Sequence, residues 1–365
     1  MTAGQADLNT RFLAVTAVKN EGAFLLDWIA HHLVVGFDHF LIYSNDCDDT
    51  TGEILDRLSA LGLVTHVPQT GPYPKGPQWE ALKKADKHPL VKTAQWLMFF
   101  DVDEYVNIHV GAHRLPDLLA ALPEATAIPM TWRLFGNDGV ISYRDLPVTQ
   151  QFRRAAPAVM GWPWRAAMFK TLFRNDGCYR KLGVHRPRNP DPARLKAQRW
   201  FDGSGREMPE LFHSGRVFST FGRDNYQIVQ LNHYALGAME SYVVKCDRGR
   251  ANRGAEGFDL SYWVERNFST AEDDSISSLA EPVAAQRALF AADAELERLH
   301  AAAVAWRHNK FQELMLNDAA RDMFGRLLMT PPSQPISGPR AQYMAQLNAR
   351  AFAHHQATIP PEAED

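Results

Sequence analysis

The feature that most limits the fold is a rhythm in the first third of the chain. Short apolar runs alternate there with amphipathic segments that end on glycine. Phe12–Val18 (FLAVTAV) is apolar and rich in β-branched residues, so it reads as a buried strand. Glu21–Val35 carries Phe24, Leu25, Trp28, Ile29 and Leu33 at helical spacing, and Gly36 ends it as a C-terminal glycine does. His39–Tyr43 is a second strand, Glu53–Leu61 a second helix closed by Gly62, and Leu63–Val67 a third strand. Pro77–Val91 reads as one helix and Gln95–Phe100 (QWLMFF) as a fourth strand. Strands and helices in this order build βαβ units. Strands that are apolar throughout belong to a parallel sheet covered on both faces. The expected fold class is α/β: a three-layer α/β/α domain with a mostly parallel sheet.

Such sheets bind ligands at the carboxyl ends of their strands. Three polar segments fall there: Lys19–Glu21, Ser44–Asp49 and Asp101–Glu104. Beyond them, Ala127–Phe135 and Met168–Arg174 read as strands, and Gly161–Trp164 and Arg186–Pro192 as irregular loops. From Ser261 the pattern turns helical, and Glu281–Ala305 is rich in alanine and leucine. A proline-rich linker spans 329–339. The expected organisation is a ligand-binding and catalytic domain over 1–260, a helical extension over 261–328, and a linker with a flexible tail over 329–365.

Composition excludes some classes. A net charge of −3 argues against a protein that coats nucleic acid. The three cysteines, Cys47, Cys178 and Cys246, are widely spaced and fit neither a disulfide framework nor a zinc site. The first residues are polar, and no apolar run reaches the roughly 18 residues of a membrane span. The expectation is a cytoplasmic protein, with peripheral contact at the inner face of the membrane left open.

The strongest chemical signal is Phe99-Phe100-Asp101-Val102-Asp103-Glu104-Tyr105. Two aspartates stand one residue apart at the end of an apolar strand. Ionised carboxylates in such a place are costly unless a cation pairs with them. Mg²⁺ or Mn²⁺ is the obvious partner, because hard cations take carboxylate oxygen and hold substrate phosphates in their other positions. The bland alternative is a helix cap or a solvated loop. A phosphatase of the haloacid dehalogenase type also places Asp-x-Asp after a strand, but near the N-terminus and with Thr or Val where Tyr105 stands.

Several motifs in order carry a resemblance. They are Val18-Lys19-Asn20-Glu21-Gly22, Trp28–His32, Gly36–Tyr43, Phe100–Tyr105, Trp132–Gly136, His185–Pro187, Asn232–Tyr234, Lys245 and Arg248-Gly249. Together, over about residues 11–255, they resemble the family-two-like glycosyltransferases, in particular the branch with bacterial relatives of glycosyltransferase family ninety-two. The resemblance implies a GT-A fold, a nucleotide-diphosphate sugar donor and Mn²⁺ or Mg²⁺. It places Asn20 and Glu21, with Lys19, near the nucleotide. The second loop of the family carries adjacent acids that meet base and ribose. Here Ser44 stands in the first position, so Asn45 or Asp46 reads the base, with Asp49 following; a plain turn with helix capping fits the same residues. Asp101 and Asp103 would hold the metal, with His233 as a later ligand and His185 and His213 as its rivals.

Other roles are assigned more loosely. Lys245, Arg248, Arg250 and Arg253 form a basic stretch suited to a diphosphate or an anionic acceptor. Lys245 and Arg248, three apart, share a helix face. A general base for the acceptor hydroxyl could be His185, Asp138 or Glu210, with His185 first. Trp132, Trp162 and Trp164 could stack on sugars, and Trp132 and His185 are the acceptor-site candidates. The expected reaction moves a hexosyl group from a UDP-sugar, with inversion, to a hydroxyl of a polysaccharide or glycolipid. The rivals are a nucleotidyltransferase, which normally has a glycine-rich first loop, and a glycan-binding protein without turnover.

Overall fold

Alternate residues of the first strand face different neighbours, and that sets the layering. A computed structural model describes residues 11–249, 258–336 and 338–358. Its central sheet is built from β1 (Phe12–Val18), β2 (His39–Asn45), β3 (Val64–Gln69), β4 (Trp96–Phe99), β5 (Glu104–Ile108), β6 (Ala127–Leu134), β7 (Phe169–Arg174) and β8 (Val229–His233). The spatial order is β3-β2-β1-β4-β7-β6-β8-β5. Within this sheet only β5 and β7 run against the others. The mostly parallel sheet expected from the apolar runs is therefore present.

The helices that cover it are α1 (Gly22–Val35), α2 (Thr51–Ala60), α3 (Pro77–Ala85), α4 (Pro89–Thr93), α5 (Met239–Arg248), α6 (Ala280–Ala291), α7 (Ala294–Leu314), α8 (Asp318–Met329) and α9 (Gly338–Thr358). Phe12 and Ala14 pack in one core with Leu25 and Ile29 of α1, Ile54 and Leu58 of α2, Phe290 of α6 and Leu299 of α7. Leu13 and Val15 pack in a second core with Ala81 and Leu82 of α3 and Leu90 of α4. Both faces of β1 are thus buried, which is why its sequence is apolar throughout.

One expectation needs correction. Pro77–Val91 is two helices rather than one, because Pro89 lacks an N–H and drives His88 out of the helical region (φ −71°, ψ 136°). Within Glu281–Ala305 the helices meet at Asp293, whose side chain accepts from Leu296 N at 3.0 Å and starts α7. The helices after residue 260 contribute Phe290, Leu296, Leu299 and Ala303 to the first core. A smaller core of Tyr242, Trp263, Phe311 and Leu327 joins α5 to α7 and α8.

Gly22 shows how closely the extension is docked. A Cβ there would lie 2.9 Å from Ala303 Cβ of α7 and 3.2 Å from Asp49 Oδ2. Only glycine lets α7 approach the start of α1 this closely.

Candidate active site

Parallel strands deliver their carboxyl ends to one edge of the sheet, and the two reversed strands begin there. The ends of β1, β2 and β4 carry Lys19, Asn45 and Asp101. Because β7 pairs antiparallel with β6 (Thr131↔Phe169), its first residues lie at the same edge, and Lys170 with them. Antiparallel pairing of β5 with β8 sets Glu104 opposite His233. A cleft of about 430 Å³ opens here, and its lining includes Lys19, Glu21, Asp46, Asp101, Asp103 and His185.

The Asp101–Glu104 turn is held by cations from distant segments. Lys170 Nζ donates to Asp101 Oδ2 at 2.9 Å and lies 3.5 Å from Glu104 Oε2. Gln78 Nε2 donates to Asp101 Oδ1 at 3.0 Å. Lys245 Nζ donates to Asp103 Oδ2 and to the Ala235 carbonyl, both at 2.7 Å. His233 Nε2 stands 3.7 Å from Asp103 Oδ1. Glu104 is fully buried and accepts from Asp101 N at 2.8 Å and from Trp132 Nε1 at 2.6 Å.

The electrostatics follow from burial and these partners. Burial alone would raise the Asp103 carboxyl, but Lys245 and His233 outweigh it and hold Asp103 well below the usual carboxylate range. Burial pushes Glu104 up to about 8, with Lys170 opposing and Asp101 and Asp103 adding to the rise. Burial also drives His185 and His233 down to about 3, so both imidazoles are neutral at physiological pH. His185 Nδ1 lies 3.0 Å from the Phe169 carbonyl. A carbonyl only accepts, so Nδ1 carries the proton and Nε2 is left as an acceptor.

The other expected residues divide. Lys19, Glu21, Asn45, Asp46, Trp132, Lys245 and Arg248 line the cleft. Arg248 is bonded to the Lys19 carbonyl at 2.7 Å and to Glu21. Lys245 and Arg248 do share one helix face, whereas Arg250 and Arg253 lie outside the described residues. Asn20 is a strut: its Oδ1 accepts from Asp48 N at 2.8 Å, and its φ is 53°. Asp49 is another, accepting from Gly22 N at 3.1 Å and Thr51 N at 2.9 Å, so it caps two helices instead of facing the cleft. Trp132 spends its indole N–H on Glu104 and packs its ring 4.3 Å from His233, which makes it a brace with only an edge on the cleft.

Asp138 and Glu210 do not reach the site. Asp138 sits at φ 51° in the turn after β6 and faces Arg154 at 3.9 Å. Glu210 is exposed at the start of the short helix Leu211–Ser214, and His213 is buried against Trp200 in the second core. Trp162 and Trp164 pack on each other at 4.5 Å, outside the cleft lining. Residues missed in the sequence are Lys170, Gln78, Tyr73, Arg165 and Arg266, all of which line the cleft or hold its acids.

The residues fit a divalent cation shared with substrate. Among the described residues no group of three or more His, Cys, Asp or Glu side chains forms a complete cage. Asp103 Oδ1 and His233 Nε2 offer two neighbouring ligands. Mg²⁺ and Mn²⁺ commonly need no more than one or two side chains when substrate phosphates complete the shell.

A family model, Glycosyltransferase family 92, matches residues 18–198. A glycosyltransferase family 92 protein of Ricinus communis is 31% identical over 111 residues, which are 29% of this chain and 18% of that protein. One from Arabidopsis thaliana is 28% identical over 132 residues, 33% of this chain and 21% of its own. The chain thus matches about a fifth of the length of these curated relatives. Among solved structures, S. aureus TarS in complex with UDP is similar over 45% of this chain and 47% of that one, at 17% identity and a TM-score of 0.28. Among the described residues no helix is long and apolar enough to cross a membrane. The motif order and the cleft at the strand ends agree with this match: residues 18–198 are similar to a glycosyltransferase family 92 domain.

Proposed function

We propose that the protein transfers a sugar from a nucleotide-diphosphate donor, UDP being favoured, to a hydroxyl of a saccharide or glycolipid acceptor. The observation that carries this reading is the Asp101–Glu104 turn, with Lys170, Lys245 and Arg248 around it in a cleft at the strand ends. A leaving diphosphate needs a concentration of cations with low access to water, and this turn has one.

Asn45 and Asp46 would take the nucleoside, beside Lys19. Lys245 and Arg248 would face the diphosphate and offset the charge that grows as its oxygen leaves the anomeric carbon. Asp103 and His233 would hold Mn²⁺ or Mg²⁺, which when bound supplies Lewis-acid neutralisation of that diphosphate. His185 would accept the hydroxyl proton at Nε2 as the acceptor oxygen forms its bond to the anomeric carbon, which fits an inverting transfer. The edge of Trp132 would orient the acceptor.

A panel of nucleotide-diphosphate sugars incubated with the protein and Mn²⁺ tests this by release of the free nucleotide diphosphate. At least one donor should be consumed, and Asp103→Asn should abolish that turnover. Failure of every UDP-, GDP- and dTDP-sugar either to bind or to be consumed would remove the donor reading.

A further inference from the structure

A second, smaller cavity of about 50 Å³ adjoins the cleft and shares Glu21, Asp103, Lys245 and Arg248 with it. Part of its wall comes from the helical extension, as Arg307 of α7. Arg307 is only 6% exposed. Its guanidinium lies 4.5 Å over the Phe24 ring and 5.7 Å from that of Tyr143. Its Nε donates to Ser241 Oγ at 3.3 Å.

The neighbouring cations already have partners. Lys245 is bonded to Asp103, and Arg248 to Glu21. Arg307 has no carboxylate at ion-pair distance among the described residues, although Glu21 and Asp49 act on it from further off, and it lines the cavity. A buried guanidinium without a counter-ion is unfavourable, and aromatic faces offset that only in part. A planar fork held between rings, with donors to spare, matches the oxygens of a phosphoryl group. The cavity has room for at least one such group beside Arg307.

We propose that Arg307 is a phosphoryl-binding residue which the helical extension supplies to the cleft. The phosphoryl group can be the terminal phosphate of a nucleotide diphosphate, a source that rests on the donor reading above. It can also be a separate phosphate, which does not depend on that reading. Either way the extension is part of the binding site, and Gly22 permits the contact by letting α7 close on α1.

Calorimetric titration with UDP, uridine and inorganic phosphate in one Mg²⁺ buffer tests this on the wild type, Arg307→Gln and Arg307→Lys. Arg307→Gln should bind UDP or phosphate at least about tenfold more weakly, the cost of losing charge-assisted bonds, with uridine unchanged. Loss for UDP alone assigns the group to the nucleotide, and loss for phosphate alone assigns it to a separate molecule. An Arg307→Gln protein that melts cooperatively and binds both as the wild type does overturns the proposal. If Arg307→Gln does not fold, Arg307→Lys decides: it keeps the charge without the fork, and wild-type affinity in it overturns the proposal. A wild type that binds phosphate but not UDP removes UDP as the donor nucleotide and leaves Arg307 standing. A wild type that binds neither removes UDP and overturns the Arg307 proposal.

Discussion

Two loops at neighbouring strand ends have similar compositions and different jobs. In Ser44–Thr51, after β2, many polar groups are spent on the protein itself. Asp49 caps two helices, Asp48 N is held by Asn20, and Thr50 Oγ1 donates to the Leu299 carbonyl of α7 at 2.7 Å. In Asp101–Glu104, after β4, the acids are met by lysines 69 and 142 residues further along the chain, and two of them still face the cleft. The first loop is a joint that lends Asn45 and Asp46 to the site. The second is the charged centre of the site. What separates a structural acid from a functional one here is its partner: backbone N–H groups of helix starts in one loop, buried cations in the other.

The largest effect should come from removing a cation in the second loop. Lys170→Met leaves Asp101 and Glu104 without their shared ammonium and should cost about 3–5 kcal/mol in denaturant unfolding. A loss no greater than that of a surface lysine would mean that the buried pairing does not hold the turn.

Titration gives the next largest effect. His31, His32, His185 and His233 are all depressed below 6.5 by burial, to about 4 for His31 and about 3 for His185 and His233. A histidine depressed in the fold contributes stability that is complete above its unfolded pKa and is lost as pH falls through 6.5. Glu104 acts in the opposite sense. Its folded value is raised to about 8, so its contribution is complete below about 4.5 and is lost as pH rises towards 8. His39, His88, His109 and His213 are depressed as well, so the histidines outweigh one glutamate and stability should fall by at least about 3 kcal/mol between pH 6.5 and 5.5. Melting curves that rise over that interval would contradict the neutral-histidine assignment.

Smaller effects sharpen the contrast at the joint. Gly22→Ala should cost about 1–3 kcal/mol by pushing its methyl into Ala303, read as a lowered melting temperature. Asp49→Ala should cost about 1–2 kcal/mol through two lost helix-start bonds, while UDP affinity stays within about twofold. A large loss of UDP affinity in a folded Asp49→Ala would move that residue from the joint into the site.

The early βαβ rhythm was legible because β1, β2 and β4 are buried on both faces and α1 and α2 are closed by Gly36 and Gly62. Asp101 and Asp103 were legible because two acids cannot end an apolar strand without a cation. Their actual protein cations were not. Lys170 lies inside the strand FKTLFR, where alternation reads a lysine as solvent-facing, and only the sheet order turns it onto Asp101. Arg307 opens the run Arg307-His308-Asn309-Lys310, which in a long helix reads as a solvated face. Asp138 misled because its left-handed turn, invisible in composition, aims it at Arg154. Asp49 misled because a capping acid and a ligand-binding acid have the same side chain. The resemblance singled out His185 and His233, which spacing alone does not do, and both line the cleft.

The most direct test of the central claim is calorimetric titration of UDP with and without Mn²⁺, on the wild type and on Asp103→Ala. The expected result is Mn²⁺-dependent binding in the wild type that disappears in the variant. Binding that is indifferent to both the metal and the substitution, or no binding of UDP or GDP under either condition, would contradict a donor site built on Asp103.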